Sequence, residues 1–363
     1  MSAGDEPSAP PAGKATLVGT GLIGGSLGLA LRRAGWEVVG TDREPATAAA
    51  AVERGALDAL GEDPASDLTI VATPVGAVVD EARRLLDAGH RVVTDVGSVK
   101  SPVVAGVARA GFVGGHPMAG SEQDGIEAAD PGLFEGATWV LTPTAETDPD
   151  AHERVRAVVT SIGADVVTLE PDRHDALVAM VSHVPHLTAA TLMRLADERA
   201  EEHRALLRLA AGGFRDMTRI AAGHPGIWPD IVAENRGAIV EVLDRLLAAL
   251  TEVRDVVADQ DRDGLLALLE QARSARTNLP ARYGRPEELG ELRIPIPDTP
   301  GAYAGVHTLA AELDVNIANA ETAHSTEGDR GVLILLVEAG DLDRLHDALV
   351  ERGYRVSGRR ILE

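Results

Sequence analysis

Apolar positions divide the chain into three stretches of different period. From Ala15 to about Leu169, short β-branched runs recur at Thr16–Val18, Glu37–Thr41, Leu68–Ala72, Arg91–Asp95, Phe112–Gly115, Thr138–Leu141 and Asp165–Thr168, most of them separated by helical pattern. This alternation predicts an α/β Rossmann domain over 14–170: a parallel sheet covered by helices on both faces, with a ligand crevice at the carboxyl ends of its strands. Past Pro171 the strand signal stops. Apolar residues at i, i+3, i+4 and i+7 predict long helices over Ala176–Arg199, Ile231–Val257 and Asp263–Arg276, an all-α helical domain over 171–281. In the second of these, Ile239, Val240, Val242, Leu243, Leu246 and Leu247 cover more of the circumference than a surface helix shows. That predicts burial on two sides, within the domain or at a subunit interface. Beyond a linker at 282–291 the period changes again. Strand Leu292–Ile296, helix Ala302–Leu313, strands Asn316–His324 and Val332–Glu338, helix Leu342–Arg352 and strand Tyr354–Ser357 read βαββαβ, a ferredoxin-like module over 292–363.

Composition narrows the function classes. A chain of 363 residues is long enough for two or three separate cores. Residues 1–13, rich in Ala, Pro, Gly and Ser and without an apolar segment, read as a disordered tail and not as a signal peptide. Cysteine is absent, so disulfides and thiolate metal sites are excluded, which fits a reducing cytoplasm. No run of about 18 apolar residues is free of charge or helix breakers, so no membrane span is expected. The net charge of −23 argues against nucleic-acid binding and requires a local cationic pocket for any anionic substrate.

The segment from Ala15 to Asp42 carries the densest chemistry. Gly19, Gly21 and Gly24, with Leu22 and Ile23 between them, form Gly-x-Gly-x-x-Gly between a strand and an apolar helix. The first glycine permits the tight turn, the second lets the backbone approach a pyrophosphate, and the third lets helix and strand pack closely. The unpaired amides of the helix's first turn face the anion. Asp42 ends the next strand, where a carboxylate accepts from ribose hydroxyls and repels a 2′-phosphate. The expected cofactor is therefore NAD, with the adjacent Arg43 bearing on that discrimination. Thr73 and Pro74 end a further strand on the same edge.

Three polar clusters follow. His116 comes just after a strand, in Gly115-His116-Pro117-Met118-Ala119-Gly120-Ser121-Glu122; it serves either as a proton acceptor or as a backbone cap. His183 and His186 stand three apart in Ser182-His183-Val184-Pro185-His186. A metal pair is disfavoured there, because Pro185 lies between them and no nearby Cys, Asp or Glu completes a shell. Arg215 and Arg219 lie in Gly213-Phe214-Arg215-Asp216-Met217-Thr218-Arg219-Ile220, ahead of Trp228, and fit either solvated helix charges or an anion grip. Lys100, in Asp95-Val96-Gly97-Ser98-Val99-Lys100, fits a helix cap or a substrate contact.

These motifs occur together and in order, and with them the chain resembles the prephenate dehydrogenases of tyrosine biosynthesis. The last module, with Asp298-Thr299-Pro300-Gly301 and Leu313-Asp314-Val315-Asn316-Ile317, resembles an ACT domain. The resemblance implies NAD-dependent oxidative decarboxylation of prephenate to 4-hydroxyphenylpyruvate. By it, His116 is the catalytic histidine, Ser98 stands near the nicotinamide and the ring hydroxyl, and Arg219 binds the ring carboxylate. His186 binds substrate, with His183 beside it in a direct or supporting role. Ser121 and Glu122 flank the pocket entrance, and Trp228 lines the pocket. It further implies a homodimer and an aromatic amino-acid effector such as tyrosine, with Asp298, Pro300, Gly301 and Asn316 in the effector region. Arogenate dehydrogenase runs the same chemistry on the amino analogue. A β-hydroxyacid dehydrogenase would need a lysine on the helical domain, and 171–283 contains none. A non-catalytic amino-acid sensor would not need the intact glycines, Asp42 and His116.

Overall fold

The computed structural model describes residues 13–120, 123–200, 210, 212–277, 289–297, 301–324 and 330–360. Ser121, Glu122, Asp298, Pro300, nearly all of the tail and most of the linker lie outside the described residues. The chain divides into two compact units, residues 1–207 with 216–247, and residues 208–215 with 248–363.

In the first unit the strands are β1 (Lys14–Val18), β2 (Glu37–Thr41), β3 (Ala59–Leu60), β4 (Leu68–Val71), β5 (Val93–Asp95), β6 (Phe112–Pro117), β7 (Thr138–Thr142) and β8 (Asp165–Thr168). Helices α1 (Leu22–Arg33), α2 (Pro45–Glu53), α3 (Val75–Asp87), α4 (Ser101–Val107) and α5 (Pro149–Ser161) connect them. The sheet order is β3-β2-β1-β4-β5-β6-β7-β8. Leu27 and Leu31 of α1, Ala51 of α2 and Val155 and Val158 of α5 cover one face. Val78, Ala82 and Leu85 of α3 and Val103 and Val107 of α4 cover the other. Strand order reverses between β1 and β4, and a crevice opens at such a point.

One part of the expected sheet is corrected. β6 and β7 pair antiparallel, and the pairs on either side are parallel. A parallel neighbour needs a crossover helix. Between Pro117 and Thr138 the described residues hold one 3-10 turn, Ile126–Ala128, so the chain returns beside the strand it left. The two-residue strand β3 was not expected from the pattern.

The helical part begins with α6 (Pro171–Val178), continues through a π turn at Ala179–His183 into α7 (Val184–Ala200), and then forms α8 (Gly212–Thr218), α9 (Trp228–Glu234), α10 (Arg236–Ala258) and α11 (Arg262–Thr277). The first predicted helix thus contains a π turn, and the second breaks at Asn235. Against the sequence expectation, the run Pro171–Glu198 is long and apolar enough to cross a membrane by length and composition. Its His174, Asp175 and His183 are nonetheless buried within the first unit, His174 hydrogen-bonded to His116 and Asp175, and His183 to Asn235. On α10, Ile239 and Val242 are buried against Ala179 and Val184. Val240, Leu247, Leu250 and Val253 of the same helix are exposed.

The C-terminal elements are β9 (Leu289–Pro297), α12 (Ala304–Glu312), β10 (Ile317–His324), β11 (Arg330–Glu338), α13 (Leu342–Glu351) and β12 (Ser357–Arg360). They form an antiparallel sheet of order β10-β11-β9-β12 over a core that includes Leu292, Val306, Leu335 and Leu345. β12 starts three residues later than the pattern predicts. Gly353 (φ 87°) and Tyr354 still bond back to Val350 and Leu349, so the helix cap consumes those positions.

Candidate active site

The dinucleotide loop lies at the reversal point. Gly19 adopts φ 94°, and a Cβ on it would stand 2.5 Å from the Ala72 carbonyl. A Cβ on Gly24 would stand 2.0 Å from the Gly19 carbonyl, so α1 sits directly on the turn. Gly21 has no atom within 4 Å of such a position and faces open space. Leu22 and Ile23 open α1, whose first-turn amides are available to an anion. Asp42 is fixed before any ligand arrives: its Oδ2 accepts from the Thr20 amide (2.7 Å) and hydroxyl (3.0 Å), and its Oδ1 from the Glu44 amide (2.9 Å). Thr73 and Pro74 line the same cleft, and the buried Thr73 hydroxyl has no partner. An open glycine cradle, an orphan hydroxyl and an anchored carboxylate fit a dinucleotide.

His116 is the last residue but one of β6 and is buried. Its Nδ1 lies 2.9 Å from Nε2 of His174, whose Nδ1 lies 2.8 Å from Oδ1 of Asp175. Neither His174 nor Asp175 was singled out in the sequence. Asp175 also accepts the amides of Lys100 and Ser101 at 2.8 Å each, which caps the short helix α4 from α6. Burial pushes the Asp175 carboxyl up, but the bonds from His174 and those two amides bring it below its ordinary range. An ionised Asp175 accepts a hydrogen bond from the Nδ1–H of His174. His174 Nε2 then accepts from His116 Nδ1–H, which leaves the lone pair of His116 on Nε2. Burial, reinforced by His174 and Lys100, holds the His116 pKa well below 6.5, so the ring is a neutral base at pH 7.

Lys100 serves this frame and does not reach outward. Its fully buried ammonium pairs with Asp95 and donates to the Gly115 carbonyl at 2.8 Å, directly before His116. Burial lowers its pKa and Asp95 opposes the shift. Asp95 also accepts from the amides of Gly97 (2.9 Å) and Gly115 (3.0 Å). Ser98 stands half-buried in the loop braced this way.

A second chain of contacts leads away from Asp175. Asn235, at the α9–α10 break, donates from Nδ2 to the Asp175 carbonyl (3.0 Å) and to His183 Nδ1 (3.1 Å). That places the His183 proton on Nε2, a buried atom without a partner. Burial lowers the His183 pKa to about 4. His183 meets Trp228 edge-on at 6.1 Å, and His186 stacks on the same indole at 3.7 Å. Burial lowers the His186 pKa as well. Gly223 abuts His186, and Arg219 lies in the turn Arg219–Ala222 that packs on α7. The structure therefore gathers His116, His183, His186 and Trp228 into one network, with Arg219 in the adjoining turn. Gly301 (φ 85°) and the exposed Asn316 belong to the C-terminal unit.

Comparison with known proteins agrees with this arrangement. Residues 27–168 match the family model described as prephenate dehydrogenase, nucleotide-binding domain, and residues 170–271 the one described as prephenate dehydrogenase, dimerization domain. The prephenate dehydrogenase of Bacillus subtilis is 33% identical over 341 residues, covering 90% of this chain and 92% of that protein. Among solved structures, A. aeolicus prephenate dehydrogenase in complex with hydroxyphenyl propionate and NAD+ is 30% identical with a TM-score of 0.68, over 74% of this chain and 99% of that one. Synechocystis arogenate dehydrogenase is 32% identical with a TM-score of 0.63, over 72% and 98%. A glycine cradle for a dinucleotide, a neutral buried imidazole at the sheet edge and this extent of likeness lead to one conclusion: the chain belongs to the prephenate dehydrogenase family.

Proposed function

We propose that this protein catalyses the NAD-dependent oxidative decarboxylation of prephenate to 4-hydroxyphenylpyruvate, with His116 as the proton acceptor. The observation that carries the residue assignment is the hydrogen-bonded series His116–His174–Asp175, which leaves a neutral imidazole with its lone pair on Nε2. Bound NAD supplies the hydride acceptor for C4 of the ring. His116 Nε2 takes the C4 hydroxyl proton as that carbon becomes a ketone, and loss of the ring carboxylate as carbon dioxide restores aromaticity. Ser98 orients the hydroxyl. Arg219 grips the ring carboxylate, and a guanidinium does so bidentately. His186, neutral and held flat on Trp228, donates to the pyruvyl side chain, and His183 Nε2–H supplies a second donor in the same network. Ser121 and Glu122 are assigned to the pocket entrance.

The domain assignment is a Rossmann domain at 14–170, a helical substrate and dimerisation domain at 171–281, a linker that ends before β9, and a ferredoxin-like ACT module that begins with β9 at Leu289, three residues earlier than the pattern predicts. Exposed Val240, Leu247, Leu250 and Val253 along α10 support a homodimer. The βαββαβ order of the last module supports an aromatic amino-acid effector, tyrosine first, bound near Asp298, Pro300, Gly301 and Asn316. The absence of cysteine supports a cytoplasmic setting. Arogenate is the alternative substrate, favoured by the likeness to the Synechocystis enzyme.

One absorbance experiment at the NADH band tests the proposal, with NAD present and prephenate or arogenate added at equal concentration. Turnover of prephenate at the higher kcat/KM supports it, faster turnover of arogenate reverses the substrate assignment, and no turnover of either rejects the activity. Arg219→Ala is expected to raise KM for prephenate about tenfold with a smaller fall in kcat, the signature of a binding contact. An unchanged KM removes Arg219 from that role.

A further inference from the structure

The adenosine end of the cofactor cleft holds two further acids that the dinucleotide motif does not include. Besides Asp42 and Arg43, the cleft is lined by Glu62, Glu81 and Arg84. Arg84 lies on α3 and Glu62 in the turn after β3. The two form a fork: Arg84 donates from Nη1 to Glu62 Oε2 at 2.9 Å and from Nη2 to Glu62 Oε1 at 2.7 Å. Its Nε donates to Glu81 at 2.9 Å, so two carboxylates hold one guanidinium. Glu62 is pinned from the other side too, where its Oε1 accepts from the Thr41 hydroxyl at 3.3 Å, directly before Asp42. The Arg84 bond holds the Glu62 carboxyl below its ordinary range. Arg43, by contrast, has a side chain 88% exposed, with the Glu44 carboxylate at 3.8 Å.

The electrostatic consequence is specific. Three carboxylates face two guanidiniums at this end of the cleft. A nucleotide carrying a 2′-phosphate adds about −1.5 to −2 charge at neutral pH and needs a guanidinium free to bond it. Arg84, its side chain 46% exposed against 88% for Arg43, is the candidate held in place in the cleft, and its fork is occupied. We propose that Glu62 is a specificity-determining residue for the nucleotide: by engaging Arg84 bidentately beside Asp42, it withholds that guanidinium from a 2′-phosphate and so favours NAD over NADP. The proposal rests on the cofactor reading above and adds to it a residue from a different strand end.

Glu62→Gln keeps the size and the Thr41 contact while removing the charge, which breaks the bidentate pair and leaves Glu81 as the one carboxylate on Arg84. The test is equilibrium fluorescence titration of NADH and NADPH into the full-length protein as wild type, Glu62→Gln, Arg84→Ala and the double variant. Glu62→Gln is expected to tighten NADPH about tenfold and to change NADH less than about threefold, with the gain absent in the double variant. Unchanged NADPH affinity in Glu62→Gln overturns the inference. An equal gain in the double variant also overturns it, because the effect would then be simple charge relief without Arg84. If Glu62→Gln does not fold, Arg84→Ala alone decides. NADPH affinity within about threefold of wild type agrees with a guanidinium already withheld, and a tenfold loss shows that Arg84 serves the phosphate after all. Wild type that binds neither nucleotide overturns the cofactor reading itself. Wild type that binds NADH with an unmoved Glu62→Gln overturns this inference alone.

Discussion

Replacing His174 by alanine separates the proton acceptor from the frame that orients it. The substitution removes the acceptor of the His116 Nδ1 proton and one donor to Asp175, at 2.9 and 2.8 Å in the native protein. Asp175 keeps the Lys100 and Ser101 amides, so α4 remains capped. Each lost bond is worth about 1 kcal/mol net, so orientation and tautomer control together come to about 2 kcal/mol, or roughly 30-fold in kcat. KM for prephenate should stay within about threefold, because the hydrogen bonds of His174 go to His116 and Asp175 and to none of the groups assigned to bind prephenate. A second signature distinguishes orientation from general damage. Burial and the neighbouring His174 depress the His116 pKa, and both weaken when water enters the vacated space. The base is unprotonated only above its pKa, so the acid limb of kcat/KM against pH should move upward towards about 6.5 in the variant. Initial rates across pH, followed as NADH absorbance, measure both effects. An unchanged rate would refute the relay. A loss as large as that of His116 variants would contradict a role limited to orientation.

Three further outcomes follow from the same contacts. Lys100→Met leaves Asp95 buried without its counter-ion and should cost about 3–5 kcal/mol, seen as a fall of about 10 °C in the thermal midpoint; no change would mean that Asp95 is satisfied by its two amides alone. Gly24→Ala places a methyl 2.0 Å from the Gly19 carbonyl, so NADH affinity should drop by about tenfold or more in a binding titration, and retained affinity would show that α1 can move away at little cost. His183 has a folded pKa near 4 against about 6.5 when unfolded, so its contribution to stability is complete above about 6.5 and declines as pH falls towards about 4. Thermal melts should therefore lose stability more steeply over that window in the wild type than in His183→Asn, and parallel curves would contradict the shift.

The elements that local pattern controls were readable from the chain. The β1–α1–β2 unit, its glycines and Asp42 announce themselves because strand period, turn chemistry and helix pattern all fall within one short stretch. The relay does not, because His116 and His174 are 58 positions apart and meet only when α6 docks beside β6. The adjacent pair His174-Asp175, shortly before Ser182-His183-Val184-Pro185-His186, was the one available hint, and nothing in its spacing separates it from an ordinary helix surface. The π turn at Ala179–His183 is equally silent: the apolar period runs straight through it, and only the docking of His183 against Asn235 and Trp228 reveals it. The reversal at β7 was legible in principle, since the stretch from Pro117 to Thr138 shows no amphipathic helix long enough for a crossover. Lys100 was readable as a helix-start residue but not as a buried ion pair, because Asp95 faces it only after the loop closes on itself.

The most direct measurement is the turnover of prephenate by His116→Asn beside its affinity for NADH. If the imidazole takes the ring hydroxyl proton, kcat falls by roughly 10²–10⁴ while the NADH dissociation constant stays unchanged. Turnover near that of the wild type, with the nucleotide bound as before, would contradict the account.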